Sequence, residues 1–152
     1  MALDFINLNK SPKQFFDILP TDWQDIIVSE WDAYKKTATI YVLKDKNEIV
    51  AGGIVFLNSH PEMTDFEQSF QYLFSEGYLY IGYLWVIPQK RNQQLASKWL
   101  DKLKEENKNQ KYWLTIEEES LSYFYKKNGF KLLKESTNSA SKEWLLTYSP
   151  IK

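Results

Sequence analysis

The chain has 152 residues, enough for one domain with a hydrophobic core of its own. Aromatic residues make up 16% of it, which excludes a disordered segment and predicts a core built largely from rings. Its 19 basic residues are balanced by 20 acidic ones, so the basic excess of a typical nucleic-acid binder is missing.

Two residue types that build reactive and metal sites are scarce. The chain has no cysteine, which excludes disulfides, thiolate nucleophiles and thiolate metal sites. Its one histidine, His60, excludes a multi-histidine metal site. A catalytic triad built on His60 is open but disfavoured, because a polar loop beside Pro61 is expected to face water.

The hydropathy pattern shows no segment for a membrane. No apolar run approaches the ~20 residues that cross a bilayer. The first residues, Met1 to Ile6, lack the basic start and long apolar stretch of a signal peptide. We therefore expect a soluble, cytoplasmic protein.

In chain order, residue periodicity first predicts helices and a hairpin. Ser11-Pro12 is typical of a helix start, and Thr21 with Gln24 has the spacing of a capping box. Gly52-Gly53 inside a strand indicates a bulge or a close backbone approach. The predicted elements are a strand at 3–7, a helix from Pro12, a helix from 21 to about 34, and hairpin strands at 38–43 and 49–57.

The middle of the chain predicts a helix and a central strand. Thr64 and Glu67 form a second capping box before an amphipathic helix over 65–76, and Gly77 supplies a left-handed stop. Residues 78–87 carry no charge, which predicts a central strand covered on both faces.

The last third of the chain alternates between helical and strand periodicity. It predicts a helix from Gln93 to about Asn107, a strand at 111–116, a helix around Leu121–Tyr125 that ends at Gly129, and closing strands at 130–133 and 143–147. No repeat or linker interrupts the chain, so we predict a single domain over 1–152.

The strongest chemical signal runs from Trp85 to Leu100, where a strand feeds a short polar turn and a helix opens at once. A helix start offers unpaired N–H groups and a positive dipole end, which suit a phosphate. Lys90 and Arg91 add positive charge. On residues alone, a plain structural turn remains the alternative.

This segment resembles the acetyl-CoA signature of the GNAT superfamily of N-acetyltransferases, Gln/Arg-x-x-Gly-x-Gly/Ala. Arg91 matches its first position and Ala96 its last, whereas Gln94 stands where the family has its middle glycine. A second segment agrees, because Phe124-Tyr125 before Gly129-Phe130 resembles the late family helix. The resemblance covers most of the chain, from about Ala38 to Tyr148, with two family helices upstream. It has two further departures, at Glu118 and Leu121, where Asn and Ala are usual.

The resemblance implies an α+β, three-layer fold: a mixed, mostly antiparallel central sheet of six to seven strands with helices on both faces. It implies acetyl-CoA as co-substrate, with no metal, and transfer of the acetyl group to an amine of a small molecule or peptide. Neither nucleic acid nor a membrane is an expected partner, and a homodimer is compatible with it. The implied cofactor-binding residues are Leu84, Trp85, Val86, Arg91, Asn92, Gln93, Gln94, Leu95, Ala96 and Ser97.

The resemblance also assigns a proton donor. Tyr125 falls on the tyrosine that many relatives use as general acid, and a plain core tyrosine is the alternative. The general base stays open, since residues 78–86 hold no acid. Glu117, Glu118 and Glu119 are candidates, although such a run is ordinarily a solvated loop. A water relay or a neutral amine would remove the need for a base.

The acceptor pocket and two rival functions stay open as well. Trp31, Phe70 and Phe74 are candidates to line an aromatic pocket, although such stripes are more often core. One rival is a GNAT-like protein that binds CoA weakly without catalysis. The other is a non-enzymatic interaction module.

Overall fold

The computed structural model describes residues 2–59, 63–137 and 142–150, so the predictions about His60 and about most of the loop before the last strand lie outside it. Within these ranges no helix is both long enough and apolar enough to cross a membrane. The elements are β1 (Leu3–Asn7), α1 (Pro12–Phe16), α2 (Thr21–Tyr34), β2 (Ala38–Asp45), β3 (Glu48–Phe56), α3 (Asp65–Gln68), α4 (Tyr72–Ser75), β4 (Tyr78–Val86), a 3-10 turn (Pro88–Lys90), α5 (Leu95–Glu106), β5 (Lys111–Ile116), α6 (Ser120–Lys127), β6 (Lys131–Glu135) and β7 (Trp144–Tyr148).

Among the described residues the strands form one seven-stranded sheet in the order β1-β2-β3-β4-β5-β7-β6. The β4/β5 pair is parallel, and the pairs β1/β2, β2/β3, β5/β7 and β6/β7 are antiparallel. This confirms the predicted α+β class and the mixed, mostly antiparallel sheet.

The chain groups into two compact units, which are described separately. The first is Met1–Phe56 with Ile81–Glu106, and the second is Leu57–Tyr80 with Asn107–Lys152. Strand β4 therefore contributes its first three residues to the second unit and the rest to the first. The prediction of one domain stays a prediction.

Two glycines on β3 let the first unit pack closely. A Cβ at Gly53 would lie 2.8 Å from the ring of Trp99, and one at Gly52 would lie 2.5 Å from the ring of Phe15. Trp99 is fully buried and donates its Nε1–H to the Tyr41 carbonyl at 2.9 Å. The predicted close approach is therefore confirmed at Gly52-Gly53, and the irregularity of the hairpin lies instead at Leu43/Lys44.

The second unit packs rings on both faces of β5, because neighbouring side chains of a strand point to opposite faces. Trp113 is fully buried and takes edge contacts from Phe74 at 5.5 Å and Tyr80 at 4.7 Å. Tyr112 stacks on Tyr148, the residue opposite it on β7, at 6.3 Å.

Two helix predictions need correction. The helix predicted over 65–76 is two short helices, because the intervening backbone bonds run from residue i to i−3, as in Phe70 N–H to the Glu67 carbonyl at 3.0 Å. Its capping box, between Thr64 and Glu67, is confirmed. The box predicted at Thr21 is wrong: the cap position is Pro20, and the Gln24 amide donates to the Leu19 carbonyl instead.

Strand β4 is less covered than predicted. Only Tyr80 and Ile81 of its nine residues are buried, and the others are half-buried although none is charged. An uncharged run predicts two covered faces, but an apolar strand whose faces are only partly covered has the same composition.

The contact between Gly53 and Trp99 yields a stability prediction. Gly53→Ala should lower the free energy of unfolding by about 1–3 kcal/mol, because the added methyl group overpacks the contact. Chemical denaturation measures it. In a Trp99→Leu background the same change should cost less, since the smaller side chain leaves room for the methyl group. An equal cost in both backgrounds would show that Trp99 is not the clashing group.

Candidate active site

A left-handed turn joins β4 to α5 in the first unit. After the 3-10 turn, Asn92 has φ 66° and Gln94 has φ 60°, a region that costs a residue with a side chain roughly 1–2 kcal/mol. Helix α5 begins at the next residue, and its first backbone bond runs from Lys98 N–H to the Gln94 carbonyl at 3.0 Å. The early N–H groups of a helix have no intrahelical acceptor, and this turn lies directly before those of α5.

Arg91 holds a basic group at this turn. Its guanidinium lies 4.5 Å from the centroid of the Trp85 ring, and its Nε–H donates to the Val86 carbonyl at 3.2 Å. The side chain is exposed. The ring contact and the hydrogen bond hold the guanidinium at the turn, and the hydrogen bond uses only one of its N–H groups.

The part of β4 that leads into the turn is irregular. Tyr83 has φ 58°, an uncommon value inside a strand and a strained one for a bulky side chain. Its ring contacts Trp23 at 5.7 Å and Phe56 at 6.4 Å. These ring contacts pack Tyr83 against the first unit at the point where its backbone leaves regular strand geometry.

The other predicted cofactor-binding residues of the first unit lie along the same path. Leu84, Trp85 and Val86 are half-buried on β4, and Asn92 and Gln93 are exposed in the turn. Leu95 is 2% exposed, so only its backbone can face a ligand. Ala96 and Ser97 are half-buried in the first turn of α5.

Tyr125 lies on α6 in the second unit. Its half-buried ring packs edge-on against Phe124 at 4.9 Å and Phe130 at 5.6 Å. Burial raises the pKa of Tyr125 to about 12, so its hydroxyl stays protonated throughout the neutral range. Gly129, at φ 92°, ends the helix. The Phe130 N–H then donates to the Tyr125 carbonyl at 3.0 Å, which places Phe130 against the last turn of the helix.

A buried carboxylate, Glu67, lies in the same unit at the start of α3. It is 6% exposed and accepts hydrogen bonds from the hydroxyls of Tyr80 at 2.5 Å and Thr115 at 2.6 Å. Its other oxygen accepts from the Thr64 N–H at 3.0 Å. Both oxygens are thus satisfied, which compensates for the loss of water.

A second buried carboxylate, Glu143, lies just before β7 and is also 6% exposed. Thr64 links the two, since its hydroxyl donates to Glu143 Oε1 at 2.9 Å and accepts the Glu67 N–H at 3.1 Å. Burial raises the pKa of Glu143, the nearby charges of Glu67 and Glu117 raise it further, and the Thr64 hydrogen bond opposes them.

A family model described as an acetyltransferase (GNAT) domain matches residues 36–132. The chain belongs to the GNAT acetyltransferase family. Comparison with curated proteins finds no relative.

Solved structures agree on the fold at low sequence identity. An aminoglycoside 6'-acetyltransferase type Ii is 15% identical, with a TM-score of 0.71 over 100% of this chain and 99% of its own. An acetyltransferase from Thermus thermophilus is 11% identical, with a TM-score of 0.70 over 98% of this chain and 97% of that one. A GNAT family acetyltransferase from Elizabethkingia anophelis, solved with acetyl-CoA bound, is 16% identical, with a TM-score of 0.61 over 97% of each chain.

The other candidates from the sequence fall elsewhere in this GNAT chain. Glu117, Glu118 and Glu119 are all exposed, as a solvated loop would be. Trp31 is buried in the core of the first unit, where its ring meets Phe16 at 5.5 Å and Tyr34 at 5.9 Å. In the second unit Phe74 packs on Trp113, and Phe70 packs on Phe66 at 5.3 Å.

Sequence reasoning missed the two buried carboxylates. It interpreted Glu67 as a capping residue, which is correct but incomplete, because the capping pattern says nothing about Tyr80 or Thr115. It interpreted Glu143 as the start of a strand. The one available signal was a lone acid directly before the apolar run of β7, and this pattern is also common at exposed strand ends.

The turn before α5 yields a prediction with a matched control. Gln94→Gly should be more stable than Gln93→Gly by about 1 kcal/mol, because glycine relieves the left-handed strain only at position 94. Both residues are exposed glutamines, so both changes add similar entropy to the unfolded chain. Thermal unfolding of the two variants measures the difference, and equal stabilities would contradict a strained backbone at Gln94.

Proposed function

We propose that this GNAT protein transfers the acetyl group of acetyl-CoA to an amine by direct attack on the thioester. The observation that carries the proposal is the left-handed turn at Asn92 and Gln94, which opens α5 beside Arg91. Backbone N–H groups and a guanidinium at one helix start suit the pyrophosphate of CoA. The family match across residues 36–132 includes this turn.

The left-handed conformation supports the assignment of Gln94 to the family's glycine position. A backbone at φ 60° is what glycine adopts at least cost, so the chain keeps the conformation while changing the residue. The glutamine is exposed, so its side chain has room to lie away from the turn. The departure from the family pattern is therefore compatible with binding of the pyrophosphate.

Strand β4 supports a role in holding the pantetheine arm. Residues 82–86 are uncharged and half-buried, and their backbone is the part of the strand that a chain of amides can pair with. The left-handed φ of Tyr83 interrupts regular strand geometry directly before the backbone N–H groups of Leu84, Trp85 and Val86. One of these N–H groups would stabilise the oxyanion that forms when the amine attacks the thioester.

The proton balance of the reaction needs a donor for the departing sulfur. The amine nitrogen bonds to the carbonyl carbon, the carbon–sulfur bond breaks, and the thiolate takes a proton. Tyr125 supplies that proton in the proposal, because its hydroxyl is protonated at every physiological pH. A phenol with so high a pKa gives up its proton late, as negative charge grows on sulfur.

The cofactor assignment is tested at Arg91. Arg91→Glu should weaken acetyl-CoA binding at least about tenfold, because it places a negative charge against the phosphates. Isothermal titration calorimetry measures the affinity. Lys102→Glu makes the same change of charge farther along α5 and should leave the affinity within about twofold. Equal losses in both variants would point to general electrostatics, and an unchanged affinity in Arg91→Glu would remove Arg91 from the site.

The donor assignment is tested at Tyr125. Tyr125→Phe keeps the ring and its packing, so acetyl-CoA affinity and melting temperature should stay close to wild type. Turnover should fall about 10²-fold, since the thiolate loses its proton donor. Tyr123→Phe, two residues away on an exposed side chain, is the control and should keep wild-type turnover. Wild-type turnover in Tyr125→Phe would favour a core tyrosine. A wild-type protein that binds acetyl-CoA without turnover would favour the alternative of a GNAT-like protein that binds CoA without catalysis.

A further inference from the structure

Three aromatic side chains of the first unit meet beside the part of β4 that would hold the thioester in the proposed reaction. We call Trp23, Tyr83 and Trp85 the β4 ring cluster. Trp23 lies on α2, and its ring centroid is 5.7 Å from that of Tyr83 and 5.4 Å from that of Trp85, with interplanar angles of 87° and 66°. Because the Trp23 ring contacts both, Tyr83 and Trp85 pack toward α2 on either side of Leu84 in the sequence.

Buried rings support the β4 ring cluster from the core, but the cluster itself stays partly exposed. Phe56, only 1% exposed, packs on Tyr83 at 6.4 Å, and behind it Tyr34 packs on Phe56 at 5.5 Å. All three rings of the cluster are half-buried. Large rings left partly in water forgo some of the free energy of apolar burial. Adjoining rings of this kind are typical of a surface that a ligand covers.

The order of the rings along β4 indicates which end of the cofactor they would meet. The guanidinium of Arg91 lies over the Trp85 ring at 4.5 Å, so Trp85 is the ring next to the proposed pyrophosphate site. Back along the strand from that turn, Tyr83 follows Trp85 in the direction in which the pantetheine arm would run. Tyr83 and Trp23 therefore belong to the thioester end of the proposed site, where the acceptor has to bind.

Tyr83 occupies its place at a cost to the backbone. Its φ of 58° is one that glycine adopts more easily than a bulky residue does. Strained residues of this kind persist where the surrounding structure holds them, and they concentrate at ligand-binding and active sites. A tyrosine ring at such a position is expected where the ring itself has a binding role.

We infer that Trp23 and Tyr83 bind an aromatic ring of the acetyl acceptor, so the acceptor is an amine joined to that ring by a short chain. The inference rests on the proposed acetyl transfer and specifies the part of the acceptor away from the nitrogen. Rings that meet edge to face or offset gain free energy beyond the burial of their area. A saturated ring of similar size buries similar area without that gain, so the two kinds of acceptor are distinguishable.

The aromatic ring takes no part in bond formation. The neutral amine nitrogen bonds to the acetyl carbon, and the carbon–sulfur bond breaks. The nitrogen loses one proton to water, and the sulfur gains one from Tyr125, which water then restores. The products are the acetylated amine and CoA with its thiol, whichever ring the amine carries.

The first test measures binding and needs no turnover. NMR of the wild-type protein with CoA, which fills the cofactor site without reacting, follows the tryptophan indole N–H signals during addition of 2-phenylethylamine or 2-cyclohexylethylamine. The aromatic amine should shift the signal of Trp23 and leave that of the buried Trp31 in place. Its Kd should be about threefold to tenfold lower than that of the saturated amine. An unmoved Trp23 signal, or equal Kd values, would overturn the inference.

The second test measures selectivity, which is kcat/KM for 2-phenylethylamine divided by kcat/KM for 2-cyclohexylethylamine, by thiol release. Wild type should favour the aromatic amine about threefold to tenfold, and Trp23→Leu should lose that preference. Trp23→Phe keeps a ring and should keep the preference. Phe5→Leu is the matched control, because it removes a half-buried ring of the same unit that stacks on Tyr41 at 4.9 Å, and it should keep wild-type selectivity.

The outcomes separate binding of the acceptor from other roles of the rings. A purely structural role lowers kcat/KM for both amines equally in Trp23→Leu, and unchanged selectivity would overturn the inference. A role in cofactor binding raises KM for acetyl-CoA as much as for the amine, which would overturn it as well. If Trp23→Leu does not fold, the wild-type Kd values decide. Failure of the wild-type protein to acetylate any amine would contradict the proposed function, whereas equal acetylation of both amines would contradict only the ring site.

Discussion

The close approach of α5 to β3 sets the geometry on which the proposed cofactor site depends. Gly53 has no side chain, so the buried ring of Trp99 lies directly against the strand and anchors itself to the Tyr41 carbonyl. With α5 held there, the chain leaving β4 has only a short turn in which to reach the helix start. The backbone in that turn is left-handed at Asn92 and Gln94, and under the proposed function the first N–H groups of α5 bind the pyrophosphate of CoA there.

One carboxylate joins several elements of the second unit. Glu67, at the start of α3, accepts hydrogen bonds from the hydroxyls of Tyr80 on β4 and Thr115 on β5, and from the Thr64 N–H. Thr64 donates its hydroxyl in turn to Glu143, the residue before β7. Because both oxygens of Glu67 have donors, the buried group keeps partners in place of water.

Much of this fold could be predicted from the sequence because its signals are local. The hairpin at 38–57, the capping box of Thr64 and the left-handed glycines at 77 and 129 depend on neighbouring residues alone. The two-residue resemblance at Arg91 and Ala96 located the turn, but not its φ angles. What the sequence did not reveal depends on distant partners: Glu67 meets Thr115 across 48 positions and Glu143 meets Thr64 across 79. No spacing rule encodes contacts of that kind, so the burial of these two carboxylates was not predicted.

Transfer of the acetyl group from acetyl-CoA to an amine is the central claim, and one mass-spectrometric experiment tests it most directly. Wild-type protein is incubated with acetyl-CoA and a panel containing a diamine, an aminoglycoside, tyramine and a peptide with a free α-amino group, while thiol release is followed in parallel. The account predicts an acetylated amine from at least one cationic acceptor, formed in equal amount with free CoA and absent without protein. Tight binding of acetyl-CoA with no acetylated product from any amine would contradict it.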